Sequence, residues 1–162
     1  MMQLIETYLN KIIVFLVSLQ GMVLVILIVV QVFFRYVVGR ALSWPEEVAG
    51  IFFVWFTLLG VVLLTQSGEH IEFSFLSRRF SPRVSKGFTI FIQTIISLFS
   101  LTWVIYGYTY AVMFPFEKTP AVGINMLWLN LSMPIGGLLI FFYSLLSIIK
   151  IMKSSEKKRG SL

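Results

Sequence analysis

Four long runs without a charged residue divide this 162-residue sequence, and they constrain its fold more than any other feature. The runs cover residues 12–34, 48–65, 88–114 and 127–149. At a rise of about 1.5 Å per residue, helices of this length roughly match the hydrocarbon core of a bilayer, which is about 30 Å thick. The composition agrees, because 58% of the residues are hydrophobic and only 12% are charged, with a mean hydropathy of +0.93. The sequence therefore predicts an all-α integral membrane protein with four transmembrane helices.

The first run is not typical of a signal peptide. It is longer than the apolar core of such a peptide, about 7–15 residues, and no small-residue cleavage site follows before Arg35. We therefore expect a retained helix over residues 12–34.

The positions of the basic residues predict how the helices are oriented. Most of the 13 Lys and Arg residues lie before the first run, between residues 66 and 87, or after residue 149. Only Arg35, Arg40 and Lys118 lie on the other side of a four-span arrangement. By the positive-inside rule, both termini and the 66–87 segment are predicted to be cytoplasmic. The net charge of +6 then reflects membrane topology, and we expect no nucleic-acid partner.

The segments outside the runs predict interfacial structure. Residues 1–11 carry apolar residues at helical spacing, which favours a short amphipathic lead-in at the membrane surface. The 66–87 segment mixes apolar and basic residues and suits anionic lipid headgroups. Within it, Ser81 and Pro82 are typical of a helix N-cap and first helical position. The last residues, 154–162, predict a polar cytoplasmic tail that is disordered beyond Lys153.

Two adjacent carboxylates, Glu46 and Glu47, stand directly before the second run. If this span begins at Trp44 and covers residues 44–65, the carboxylates lie in its first turn, where the helix dipole favours negative charge. They then lie at headgroup depth and not in hydrocarbon. Arg35 and Arg40, in the same loop, are available as partners.

The spans lack the residues that ion transport or catalysis needs. Intramembrane ionisable residues mark ion and proton pathways, and the four runs contain none. Cysteine is absent and His70 is the single histidine, so neither a zinc site nor bis-histidine haem ligation can be assembled. We therefore expect no catalytic, metal-binding or cofactor-binding residue in this chain.

Polar or small residues recur along one face of each run. Lipid gives no reason for such faces, whereas helix packing does, because small residues allow close approach and amides bond across the gap. All four faces could serve the chain's own bundle, or at least one could meet another membrane subunit. Pro134 is also expected to kink the last helix and to free the carbonyl of Asn130. The candidates for a partner interface are Gly50, Thr57, Gly60, Gln93, Ser97, Ser100, Asn130, Gly137 and Ser144.

The order of several short motifs resembles a known family. The elements are Arg35, Trp44-Pro45-Glu46-Glu47, Phe53-Val54-Trp55, Leu59-Gly60, His70-Ile71, Trp128 and Pro134. In combination they resemble the small membrane subunit (DctQ-like, Q subunit) of tripartite ATP-independent periplasmic (TRAP) transporters. The resemblance extends over nearly the whole chain and includes the number of helices and the cytoplasmic termini.

The resemblance implies a function in the bacterial inner membrane. In this family a large membrane subunit binds substrate and sodium and moves as an elevator, and a soluble periplasmic protein captures the substrate. The small subunit braces the large one and is not catalytic. The expected process is sodium-coupled uptake of an organic acid, such as sialic acid or a C4-dicarboxylate, with sodium and substrate on the large subunit.

Two further expectations accompany this resemblance. The small-residue faces are expected to dock the static part of the large subunit, whereas the alternative is a free-standing membrane scaffold or assembly factor for another complex. An outer rim would be available to membrane lipids or to the binding protein. It would comprise Arg35, Arg40, Trp44, Glu46, Glu47, Glu117 and Lys118.

Overall fold

The computed structural model describes the backbone of residues 2–67 and 82–159, and the side chains of residues 6–66 and 84–152. Its elements are α1 (Met2–Tyr36), α2 (Trp44–Ser67), α3 (Pro82–Met113), α4 (Leu127–Asn130) and α5 (Ser132–Arg159). Within this part of the chain, four stretches are long and apolar enough to cross a membrane: Glu6–Tyr36, Trp44–Gln66, Val84–Met113 and Leu127–Met152. The predicted all-α fold with four spans is confirmed.

The helix ends differ from the sequence prediction at both termini. The lead-in over residues 1–11 is not a separate segment, because α1 continues without a break from Met2 through the first span. The prediction of disorder beyond Lys153 was wrong, since α5 continues to Arg159. Lys, Glu and Arg in this segment are good helix formers, so the helix propagates past the apolar run. Pro82 opens α3 as predicted, whereas Ser81 and His70 lie outside the described residues.

The long helices form a row, and α5 occupies an inner position. In the described part of the chain α1 packs on α2, α2 packs on α5, and α5 packs on α3, while α2 and α3 do not pack directly on each other. Accordingly, 33% of the most apolar part of Leu127–Met152 is buried, against 22% in α2 and 17% in α1 and in α3. The row leaves most of the surface of α1 and α3 open to the surrounding membrane.

Apolar side chains hold α1, α2 and α5 together toward the end of the bundle that carries the chain termini. Ile13 of α1 meets residues of α2 and α5 in one buried cluster, and Glu6 and Lys150 form an ion pair at the same end with an N···O distance of 2.5 Å. In a bilayer such side chains stabilise the bundle through close packing and dispersion contacts, because the lipid around the helices is as apolar as they are. The cluster consists of Ile13, Leu59, Val62, Ile140, Tyr143 and Leu146.

The last span is interrupted near Pro134, as the sequence predicted. The short helix α4 ends at Asn130, Leu131 forms a turn, and α5 begins at Ser132. Proline has no N–H to donate to the carbonyl four residues earlier, which here belongs to Asn130. The interruption therefore lies one turn before the proline that causes it.

Candidate docking surfaces

Close packing between α3 and α5 uses glycine at two positions. A Cβ atom built on Gly107 would lie 2.9 Å from the Cβ of Met133 and 3.1 Å from the backbone N of Pro134. A Cβ on Gly137 would lie 3.1 Å from the backbone O of Ser100. Because backbone atoms cannot move aside as a flexible side chain can, these glycines set how closely α3 and α5 approach. We call this contact the α3/α5 seam.

A buried polar contact lies farther along the same seam. Ser144 is fully buried, and its hydroxyl lies 2.7 Å from the backbone O of Gln93 and 2.9 Å from Gln93 Oε1, either of which can accept its proton. Gln93 itself is only 1% exposed. In a bilayer this contact gives the Ser144 hydroxyl a hydrogen-bond acceptor, which the hydrocarbon around the helices could not provide.

Six of the predicted interface residues are therefore buried within this chain. Asn130 belongs to this group as well, and its Nδ2 has no hydrogen-bond partner among the described residues. Their role in binding another subunit stays a prediction, and the structure places them in intramolecular contacts. The six are Gln93, Ser97, Ser100, Asn130, Gly137 and Ser144.

The other three predicted interface residues lie on an open face of α2. Gly50 and Gly60 have no heavy atom within 4 Å of a Cβ built on them, and Thr57 is exposed. The Thr57 hydroxyl donates to the carbonyl of Phe53 in the same helix at 2.8 Å, so the polar group needs no external partner. We call Gly50, Phe53, Thr57, Gly60 and Leu64 the open α2 face.

An apolar groove continues this face toward α3. It has a volume of about 390 Å³, and Leu64 belongs both to the groove and to the open α2 face. The groove exists because α2 and α3 both pack on α5 without meeting each other. Its walls are Val61, Leu64 and Thr65 of α2, and Ile95, Ile96, Phe99, Ser100 and Trp103 of α3, with Ile140 of α5 between them.

The adjacent carboxylates at the start of α2 have different environments. Both lie in the first turn, as predicted. Glu46 is exposed, whereas the Glu47 carboxylate accepts hydrogen bonds from the backbone N of Ala121 at 2.6 Å and of Val122 at 2.9 Å. Glu47 thus joins α2 to the loop between α3 and α4.

The rest of the predicted rim is exposed at this end of the bundle. Arg35 and Arg40 were available as partners, but among the described residues no salt bridge joins them to Glu46 or Glu47. The described residues also hold no cluster of three His, Cys, Asp or Glu side chains that could bind a metal ion. The exposed rim residues are Arg35, Arg40, Trp44, Glu46, Glu117 and Lys118.

A second connection at this end was not predicted from the sequence. The indole N–H of Trp55 donates to the backbone O of Trp128 at 2.9 Å, which ties α2 to α4. Both tryptophans stood out as parts of motifs, but nothing in their spacing indicates that they meet. The available signal was the indole N–H of Trp55 within a span, because a buried indole N–H usually has a hydrogen-bond partner.

Comparison with known proteins decides the family. The family model for the DctQ component of tripartite ATP-independent periplasmic transporters matches residues 24–154. The chain belongs to the DctQ family. The small sialic acid TRAP permease protein SiaQ of Vibrio cholerae is 26% identical over 125 residues, covering 76% of this chain and 71% of SiaQ. A Haemophilus influenzae protein named as a TRAP transporter small permease is 24% identical over 155 residues, covering 95% of this chain and 93% of that protein.

A third relative contains a similar segment within a longer chain. The sialic acid TRAP permease SiaT of Haemophilus influenzae is 23% identical over 116 residues, which cover 72% of this chain and 19% of SiaT. As a DctQ protein, this chain is a multi-pass, non-enzymatic subunit of a TRAP transporter. Its partners are a large permease subunit and a periplasmic binding protein. Membership favours the transporter subunit over the free-standing scaffold.

Proposed function

We propose that this chain braces the large permease subunit of a TRAP transporter during sodium-coupled uptake of an organic acid. Two relatives are named for sialic acid, which supports a carboxylate substrate. The uncharged spans support placing sodium and substrate on the large subunit, because ionisable residues within the membrane mark ion pathways. The membrane is the bacterial inner membrane, with both termini cytoplasmic and the Glu47 end periplasmic.

The open α2 face is the observation that carries this proposal. No heavy atom of the described chain lies within 4 Å of a Cβ built on Gly50 or Gly60, and Thr57 is exposed, although glycines are packed tightly in the α3/α5 seam. Small residues on a transmembrane helix let a second helix approach closely, and dispersion contacts then replace contacts with lipid. The occupant we propose is a helix from the static part of the large subunit, lying along the open α2 face and into the adjacent groove.

The resemblance to a segment of SiaT supports a close contact of this kind. A DctQ-like segment that covers 19% of a longer permease must fit against whatever membrane domain that chain also contains. A separate small subunit can achieve the same fit only through a complementary surface. The open α2 face has the small residues that such a close fit requires.

Co-purification of the two permease subunits from membranes tests the docking surface. We expect Gly60→Leu and Thr57→Leu to reduce recovery of the large subunit, because each places a larger side chain on the surface that it must approach. Thr94→Leu is the matched control, since Thr94 is also exposed and its hydroxyl also donates to the carbonyl four residues earlier, at 2.8 Å. Undiminished recovery with both α2 variants would reject this docking surface.

Reconstitution tests the transport function itself. Liposomes that contain this chain, the large subunit and the binding protein should take up radiolabelled sialic acid when a sodium gradient is applied. Liposomes with this chain alone should show no uptake. Saturable, gradient-driven uptake by this chain alone would contradict the proposed bracing role.

A further inference from the structure

The loop between α3 and α4, residues 114–126, is held by hydrogen bonds of its own. Thr119 is central, because its N–H donates to the Ile124 carbonyl at 2.8 Å and its hydroxyl accepts from the Ile124 N–H at 3.1 Å. The Gly123 N–H donates to the Thr119 carbonyl at 2.9 Å, and Gly123 has a φ of +74°, which favours glycine. The loop therefore has a defined backbone.

Glu47 fixes this backbone to the membrane helices. Its two carboxylate oxygens accept from consecutive backbone N–H groups, Ala121 and Val122. Hydrogen bonds to an ionised acceptor are stronger than bonds between neutral groups. Because Glu47 belongs to the first turn of α2, the loop keeps one position relative to the span.

Among the large apolar side chains that this loop exposes, that of Phe116 is the most exposed. Phe116 is 89% exposed, although both of its neighbours are held in place. The carbonyl of Pro115 accepts from the Asn125 side-chain amide at 2.9 Å, and the carbonyl of Glu117 accepts from the Met126 N–H at 2.8 Å. A ring that is exposed on an immobilised backbone loses little conformational entropy when a partner binds it.

We propose that Phe116 is the apolar anchor by which this chain docks the periplasmic binding protein, and that Glu47 is the positioning residue that presents it. This inference rests on the proposed function, because that function places residues 114–126 on the periplasmic side. Aromatic side chains that enter a pocket on the partner carry much of the binding energy in protein interfaces. Glu117 and Lys118 would then lie at the rim of the contact.

The observations favour a soluble protein over the lipid surface as the occupant. A bilayer is fluid and accepts an aromatic ring without a fixed backbone, so it gives no reason for the hydrogen bonds on both sides of Phe116. Anionic headgroups also disfavour the adjacent carboxylate of Glu117, whereas a protein surface can match a Glu and a Lys with opposite charges.

Photo-crosslinking in cells that contain the full transporter identifies the occupant. We expect p-benzoylphenylalanine in place of Phe116 to give a covalent adduct with the binding protein. The same probe in place of Tyr106, which is 73% exposed in the interior of α3, should give none. An adduct of position 116 with only lipid or only the large subunit, or no adduct, would overturn the proposal. If the large subunit fails to co-purify with the unmodified chain, the proposed function has failed instead.

The two adjacent glutamates provide a matched test of whether Glu47 positions Phe116. Glu47→Gln replaces one acceptor oxygen by an NH₂ group facing a backbone N–H, so the adduct from position 116 should decrease several-fold. Glu46→Gln makes the same charge change at an exposed position and should leave the adduct unchanged. If both variants behave alike, Glu47 does not position the loop.

Uptake measured against the concentration of the binding protein provides the second measurement. Phe116→Ala should raise the half-saturating concentration by about tenfold, which corresponds to about 1.4 kcal/mol. It should leave recovery of the large subunit and the maximal rate unchanged, since Phe116 lies outside the spans. An unchanged half-saturating concentration would contradict the proposal that Phe116 anchors the binding protein.

Discussion

The α3/α5 seam and the open α2 face both contain two glycines, but the surroundings of these glycines are opposite. In the seam, Gly107 and Gly137 lie against backbone and side chains of the facing helix at distances that leave no room for a methyl group. On the open α2 face, Gly50 and Gly60 have no heavy atom of the described chain within 4 Å of a built Cβ. A stripe of small residues therefore indicates that a helix can be approached closely, but it does not say by which helix.

The position of α5 explains this difference. A helix inside the row has neighbours on two sides. The small-residue faces of α5 and of α3 are therefore already packed against each other within the chain. The α2 helix also has two neighbours, α1 and α5, but its third side faces outward. A bracing subunit needs both kinds of surface, because the α3/α5 seam holds the subunit together and the open α2 face is available to bind its partner.

The largest expected effect on the isolated chain separates Gly107 from Gly60. Gly107→Ala should destabilise the chain by about 1–3 kcal/mol, because the added methyl group overlaps Met133 and the backbone N of Pro134. Gly60→Ala should be neutral or stabilising by up to about 1 kcal/mol, since alanine is the better helix former. Thermal unfolding of the purified chain in detergent measures both. Equal destabilisation by the two variants would remove the distinction between the seam and the open face.

A smaller difference is expected between the adjacent glycines of α5. Gly137 faces the backbone O of Ser100 at 3.1 Å, whereas Gly136 faces the side chain of Leu58 at 3.3 Å from a built Cβ. The Gly137 contact is the shorter of the two and its three nearest atoms belong to three residues of α3, whereas the three nearest atoms to Gly136 all belong to Leu58. Gly137→Ala should therefore cost about 1 kcal/mol or more, and Gly136→Ala should cost less than Gly137→Ala.

The same unfolding assay compares these two variants. If Gly136→Ala is the more destabilising, the α2/α5 contact is the tighter one. The seam would then not be the most restrictive contact of α5.

The sequence was sufficient to predict the spans and much of the packing chemistry. Uncharged runs of membrane length specify helices, because every backbone polar group in hydrocarbon needs a partner within its own segment. The interruption before Pro134 followed from the missing N–H of proline. Neither prediction required knowledge of which helices are neighbours.

The remaining features depend on distant contacts that a sequence does not encode locally. Glu46 and Glu47 are chemically identical neighbours, and only the position of residues 119–122 distinguishes the bound carboxylate from the exposed one. The Trp55 to Trp128 hydrogen bond joins positions 73 residues apart in the same way. The division of the nine predicted interface residues into buried and open groups likewise follows from the order of helices in the row.

The smallest expected effect concerns the polar contact of the seam. Ser144→Ala removes the hydroxyl that lies against Gln93, and hydrogen bonds between membrane helices contribute on average about 0.6 kcal/mol. The loss should be modest because alanine keeps the small volume on which the close packing depends. Ser18→Ala is the control, since Ser18 is exposed on α1 and should give no change. If Ser144→Ala destabilised the chain more than Gly107→Ala, hydrogen bonding and not close packing would be the dominant interaction between α3 and α5.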